Sequence, residues 1–224
     1  MIQRRLVLAL LVGALLTSPG CMRCGAYYDA MEKLGWEKRD LLVKRVSSAR
    51  EAQQDAQQQF RDTLQEFQTL IGYKGGELEA KYEKLRGEYE DASQRAEAVR
   101  TRIANVRDVA NRLFEEWSTE IGQFTSNDLR AESQRELDLT KRRYQEVLAV
   151  MERASKRMDP VLAKLNDQVL FLKHNLNARA LGSLKTTAEA LQVEVGKLVT
   201  DMEASIAEAS KFIDEMGKQP ETGS

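Results

Sequence analysis

One histidine and two cysteines in 224 residues leave this chain short of the side chains on which metal and redox chemistry depend. A zinc site needs four ligands, and His174, Cys21 and Cys24 come with no third cysteine. A thioredoxin-like pair at Cys21 and Cys24 would need a strand before it and a helix starting at it, inside a compact α/β domain. Neither pattern is there. The formal charge is −1, whereas a nucleic-acid partner calls for a clear basic excess. No G-x-x-x-x-G-K-[ST] string occurs: Lys197 follows Gly196, but position 191 is Leu. That excludes the arms of a chromosome-maintenance ATPase, with which long coiled coils are easily confused. Glu115, Glu116 and Glu120 lack the Glu-x-x-His pair of bundle metal sites and read as a solvated face. No catalytic residue, metal or cofactor is expected.

With only three prolines, aromatics at 6% and charged residues at 31%, the composition is that of a solvated helical rod. The spacing agrees. Leu78, Tyr82, Leu85, Tyr89, Ala92, Ala96, Val99, Ile103, Val106, Ala110, Leu113 and Trp117 keep a strict four-three stagger. A 3.5-residue repeat held that long winds an apolar seam left-handed around a partner helix. These residues place a helix at about 77–121, roughly 65 Å long at 1.5 Å per residue. A preceding helix, about 30–71, carries Leu42, Val46, Ala49, Gln53, Ala56, Phe60, Thr63, Phe67 and Leu70, with Gln53 and Thr63 able to set register. Gly72, Gly75 and Gly76 mark the reversal between the two.

A third helix shows Leu137, Thr140, Tyr144, Val147, Met151, Ala154, Met158, Val161, Leu165, Gln168 and Leu172. Pro160 falls inside that run without disturbing its phase, so one helix kinked at Pro160 is expected, capped by Asn127 or Asp128. The last helix shows Leu184, Ala188, Leu191, Val195, Leu198, Met202, Ile206, Ala209, Ile213 and Met216. A phase slip between Leu172 and Leu184 suggests a turn, placed near Arg179, although a stutter in one continuous helix remains open. The fold class is therefore all-α: an elongated antiparallel helical bundle or coiled coil of three to four long helices, over residues 30–216. A homo-oligomer closed through the same seam is left open.

The first twenty residues are a different polymer. Arg4 and Arg5, an apolar run from Leu6 to Leu16, and Thr17, Ser18, Pro19 and Gly20 have the layout of a secretory signal peptide. The run is too short to span a bilayer as a helix, which takes about 20 residues. An uncleaved anchor is the other reading. The stretch ending in Gly20 and Cys21 resembles a bacterial lipoprotein processing site, departing from the pattern at Ser18 and Pro19. That resemblance implies lipidation of Cys21 and a membrane tie through an N-terminal lipid anchor. Met22, where such proteins carry an aspartate for inner-membrane retention, implies the outer membrane facing the periplasm. Residues 21–29 would be a tether and 217–224 a flexible tail. Without Arg4 and Arg5, 32 basic residues stand against 35 acidic ones, a charge of −3.

The most distinctive string runs from Asp167 to Ala180. Val169, Leu170, Phe171, Leu172 and Leu176 fill more than one stripe, so this region touches protein on several sides or carries an exposed apolar patch. His174, Asn175 and Asn177 suit hydrogen bonding at a helix reversal. Together with Met31 to Leu41, which includes Gly35 and Trp36, this string resembles a family of uncharacterised bacterial coiled-coil proteins. The family is a domain of unknown function, and many members look like lipoproteins. The resemblance covers about residues 25–216 and implies no activity or catalytic residues. It directs attention to Gly35, Trp36 and the Lys173–Arg179 segment. The resulting expectation is a non-catalytic, membrane-anchored coiled-coil protein of the cell envelope, a structural spacer or protein-binding module. The alternative is an accessory subunit of an envelope transport or wall-synthesis complex, docking through Val169 to Arg179. Candidate partner-binding residues are Phe171, Lys173, His174, Asn175, Asn177 and Arg179.

Overall fold

The computed structural model describes residues 38–217, all of them in helices or the turns between helices. The expected signal peptide, Cys21, Cys24, the tether, the start of the first helix with Gly35 and Trp36, and the tail from Lys218 onward lie outside the described residues. Four long helices, α1 (Lys38–Gly72), α2 (Leu78–Ile121), α3 (Asn127–His174) and α5 (Lys185–Gly217), are joined by short turns, with one short helix, α4 (Ala178–Ser183), before the last.

Cross-helix partners fix the directions. Asp55, Gln59 and Glu66 of α1 meet Arg95, Glu88 and Lys84 of α2, so numbers fall along one helix as they rise along the other. The same inverse order joins Arg100 to Asp159 and Arg107 to Glu152 between α2 and α3. It joins Arg143 to Glu215 and Arg157 to Asp201 between α3 and α5, and Arg50 to Ser210 and Gln68 to Gln192 between α1 and α5. Each long helix packs on two others in a ring, α1 on α2, α2 on α3, α3 on α5 and α5 on α1. This is an up-down-up-down four-helix bundle, the arrangement that short loops between long amphipathic helices favour. Lys38, the α2–α3 loop and Gly217 therefore lie at one end, and the α1–α2 loop and the α3–α5 connection at the other.

The heptad positions form the core. All nine seam residues of α1 are buried, including Gln53 and Thr63, and nine of the twelve on α2, with Leu78, Tyr89 and Trp117 half-buried. On α3 every expected seam residue except Gln168 is buried, and Val169 joins them. α5 differs: Ser205 and Phe212 are buried, whereas Ile206 and Ile213 sit half-exposed beside them. The four-three stagger runs Leu198, Met202, Ser205, Ala209, Phe212, Met216. Hydropathy alone favoured the isoleucines, but Ser205 goes inside because its hydroxyl has a buried partner in Gln53.

Two boundaries are also corrected. The N-cap of α3 is Ser126, not Asn127 or Asp128: its backbone is extended and its hydroxyl accepts from the Leu129 N–H. Asp128 falls in the first turn, where a carboxylate complements the helix dipole. α3 continues through Pro160, whose missing N–H costs one backbone bond, and the preceding Asp159 pairs with Arg100. The turn near Arg179 comes earlier. α3 stops at His174, the reversal occupies Asn175 to Asn177, and Arg179 is inside α4.

Candidate functional site

Phe171, Lys173, His174, Asn175, Asn177 and Arg179 fall together around the reversal that ends α3, at the opposite end of the bundle from Lys38. The two asparagines build the turn. Asn175 Nδ2 donates to the Phe171 carbonyl at 2.9 Å, and its backbone N–H donates to the Leu172 carbonyl at 3.2 Å. Asn177 takes extended backbone angles and caps α4, its Oδ1 accepting from the Ala180 N–H at 3.0 Å. Side-chain amides that satisfy the open backbone groups of two helix ends are a structural device. α4 lies against α1 and α5, and Ala180, Leu181 and Leu184 bury their side chains to close that end of the core.

The remaining side chains face water. Val169 and Leu172 are buried, whereas Leu170 and Phe171 are 52% and 39% exposed, so the crowded apolar stretch resolves into an exposed patch. The His174 side chain is exposed and makes no hydrogen bond at the turn among the described residues, which corrects its expected share there. Lys173 and Arg179 are exposed, and neither has a carboxylate partner among the described residues. Lys173 and His174 lie in the last turn of α3, where cations complement the dipole. Arg179 sits in the first turn of α4, where the dipole favours acids instead, and Lys185 lies between the C-cap of α4 and the start of α5. The sequence reading missed Lys185 and left Leu170 out of the site. The signal that could have found them is charge pattern: no Asp or Glu occurs from Gln168 to Ala188, although Lys173, Arg179 and Lys185 do.

Nothing at this turn sets a nucleophile beside a base. At the other end a shallow groove of ≈ 200 Å³ runs between α3 and α5, lined by Leu139, Arg142, Arg143, Glu146, Lys211 and Phe212 among others. Its charges are partly spent on one another, Arg143 on Glu215 at 3.2 Å and Lys211 on Glu208 at 3.5 Å. Among the described residues no three His, Cys, Asp or Glu side chains converge as a metal site needs, and no helix is long and apolar enough to cross a membrane.

A family model described as "Protein of unknown function (DUF2959)" matches residues 27–216. No curated protein and no solved structure matches the chain.

Proposed function

This chain belongs to the DUF2959 family, and we propose that it is a non-catalytic, membrane-anchored coiled-coil protein of the bacterial cell envelope that acts as a structural spacer or protein-binding module. Cys21 carries the lipid anchor, and the outer membrane facing the periplasm is the site. The observation that supports this reading is the polarity of the rod. The described part of α1 begins at Lys38, and the turn with exposed Leu170, Phe171, Lys173 and Arg179 is at the other end. α1 alone separates the two by about 52 Å, from its 35 residues. An anchor at the first end holds the turn that far from its membrane.

A second reading is favoured by the exposure of Leu170 and Phe171 within the family-matched segment. In it the chain is an accessory subunit of an envelope transport or wall-synthesis complex, docking through Val169 to Arg179. Metabolic labelling tests the anchor that the first reading requires. Radiolabelled palmitate is incorporated by the parent and by Cys24→Ser, and Cys21→Ser releases an unlabelled chain from the membrane fraction. Equal labelling of parent and Cys21→Ser removes the proposal.

A further inference from the structure

The α3–α4–α5 connection joins features that helix stability does not explain. Arg179 stands in the first turn of α4, where a helix dipole disfavours a cation, and Lys185 lies at the junction between the C-cap of α4, Leu184, and the first position of α5. Among the described residues neither they nor Lys173 has an acidic partner, whereas Arg61, Arg95 and Arg157 are paired across helices with Glu203, Asp55 and Asp201. The stretch Gln168 to Ala188 offers them no carboxylate. On the α1–α2 side of the same end, Lys74 and Lys81 offset Glu77 and Glu79, so the basic excess belongs to the α3–α5 side. Leu170 and Phe171 are exposed near the C-terminal end of α3, the helix whose last turn carries Lys173.

We propose that this end of the bundle docks on a bilayer surface bearing anionic phospholipid headgroups. Lys173, Arg179 and Lys185 meet the phosphates, and Leu170 and Phe171 enter the boundary between headgroups and acyl chains. The argument is charge complementarity together with shape. A cation cluster also meets acidic peptides, but here the cations stand at the end of a bundle whose core α4 closes, together with two exposed apolar side chains of α3. A fluid headgroup layer moulds itself to such an end, and long cationic side chains beside exposed Leu and Phe are the composition of interfacial segments. The inference rests on the spacer reading and gives its free end a target.

The test uses the full lipidated chain anchored in neutral phosphatidylcholine donor vesicles, mixed with acceptor vesicles with or without phosphatidylglycerol. Flotation of the donors alone reports the anchor. Capture of anionic acceptors only is expected. Each cation removed should lower capture roughly fivefold, so Lys173→Gln, Arg179→Gln and Lys185→Gln combined should lower it about a hundredfold. Phe171→Ser should lower it severalfold with an unchanged melting temperature. Anchored chain that captures neutral and anionic acceptors alike, or a triple variant that captures like the parent, overturns the docking and leaves the anchor standing. An end that ignores both vesicles but binds polyglutamate is a protein-docking surface, which also overturns it. If the chain leaves the donors, the anchor has failed. Flotation of free chain on anionic vesicles then decides the docking, with parent exceeding the triple variant at least tenfold or the proposal lost.

Discussion

Ser205 of α5 donates a hydrogen bond to Gln53 of α1 across the bundle interior, Oγ to Oε1 at 2.9 Å, with both side chains fully buried. The pair is a polar contact inside a mostly apolar core, and the amide nitrogen of Gln53 has no partner. Ser205→Ala then leaves the buried amide wholly unsatisfied and should cost about 1–3 kcal/mol. Adding Gln53→Leu removes the orphan and should restore stability to within about 1 kcal/mol of the parent. Urea melts of the two singles and the double measure this, and additive losses would contradict the pairing.

Glu66 is buried on α1 with Oε2 held by Lys84 Nζ at 2.6 Å and Oε1 unpartnered. Lys84→Met should lower the melting temperature by stranding that carboxylate, and Lys84→Met with Glu66→Leu should recover it. The hydrogen bond from Lys84 to Glu66, aided by their charge attraction, raises the lysine pKa. A folded-state pKa above the unfolded one gives stabilisation that is complete below the ordinary lysine pKa of about 10.4 and is lost as pH rises through the raised value. The parent's margin over Lys84→Met should therefore shrink only in strongly alkaline solution. A margin that shrinks near neutrality would contradict the assignment.

The seam of α5 separates two neighbours of similar hydropathy. Phe212 is 2% exposed, whereas Ile213 is half-exposed. Phe212→Ala should cost about 3–5 kcal/mol and Ile213→Ala about 1 kcal/mol. On α2 the same contrast holds between buried Ile103 and exposed Arg102. Ile103→Asp buries an unpaired charge and should cost several kcal/mol, against less than about 0.5 kcal/mol for Arg102→Ala. Equal melting shifts within either pair would mean a different helix phase.

Periodicity made most of this bundle readable from sequence, because a 3.5-residue repeat constrains which face of a helix is covered whatever covers it. α1 shows the limit of that legibility at its best, with every seam residue buried, Gln53 and Thr63 among them. Thr63 is held inside by sharing its proton between the carbonyls of Gln59 at 2.8 Å and Glu88 at 3.0 Å. Ser205 was missed because its reason for burial is a residue on another helix, which no local pattern records. The reversal was misplaced for a similar reason. Asn175 and Asn177 compete for backbone groups a few residues away, and the phase slip from Leu172 to Leu184 spans the turn and α4 without marking where either begins. The candidate site residues share one turn because they are neighbours in sequence, and which of them face water depends on how α4 covers the core end.

Neutron reflectometry of the full chain, anchored to a supported phosphatidylcholine bilayer, tests most directly whether the bundle is a spacer that stands from its membrane. With α1 of 35 residues and α3 of 48, a protein layer about 50–75 Å thick is expected. A layer of about 20–25 Å, two helix diameters, would mean that the bundle lies along the surface, and would contradict the spacer.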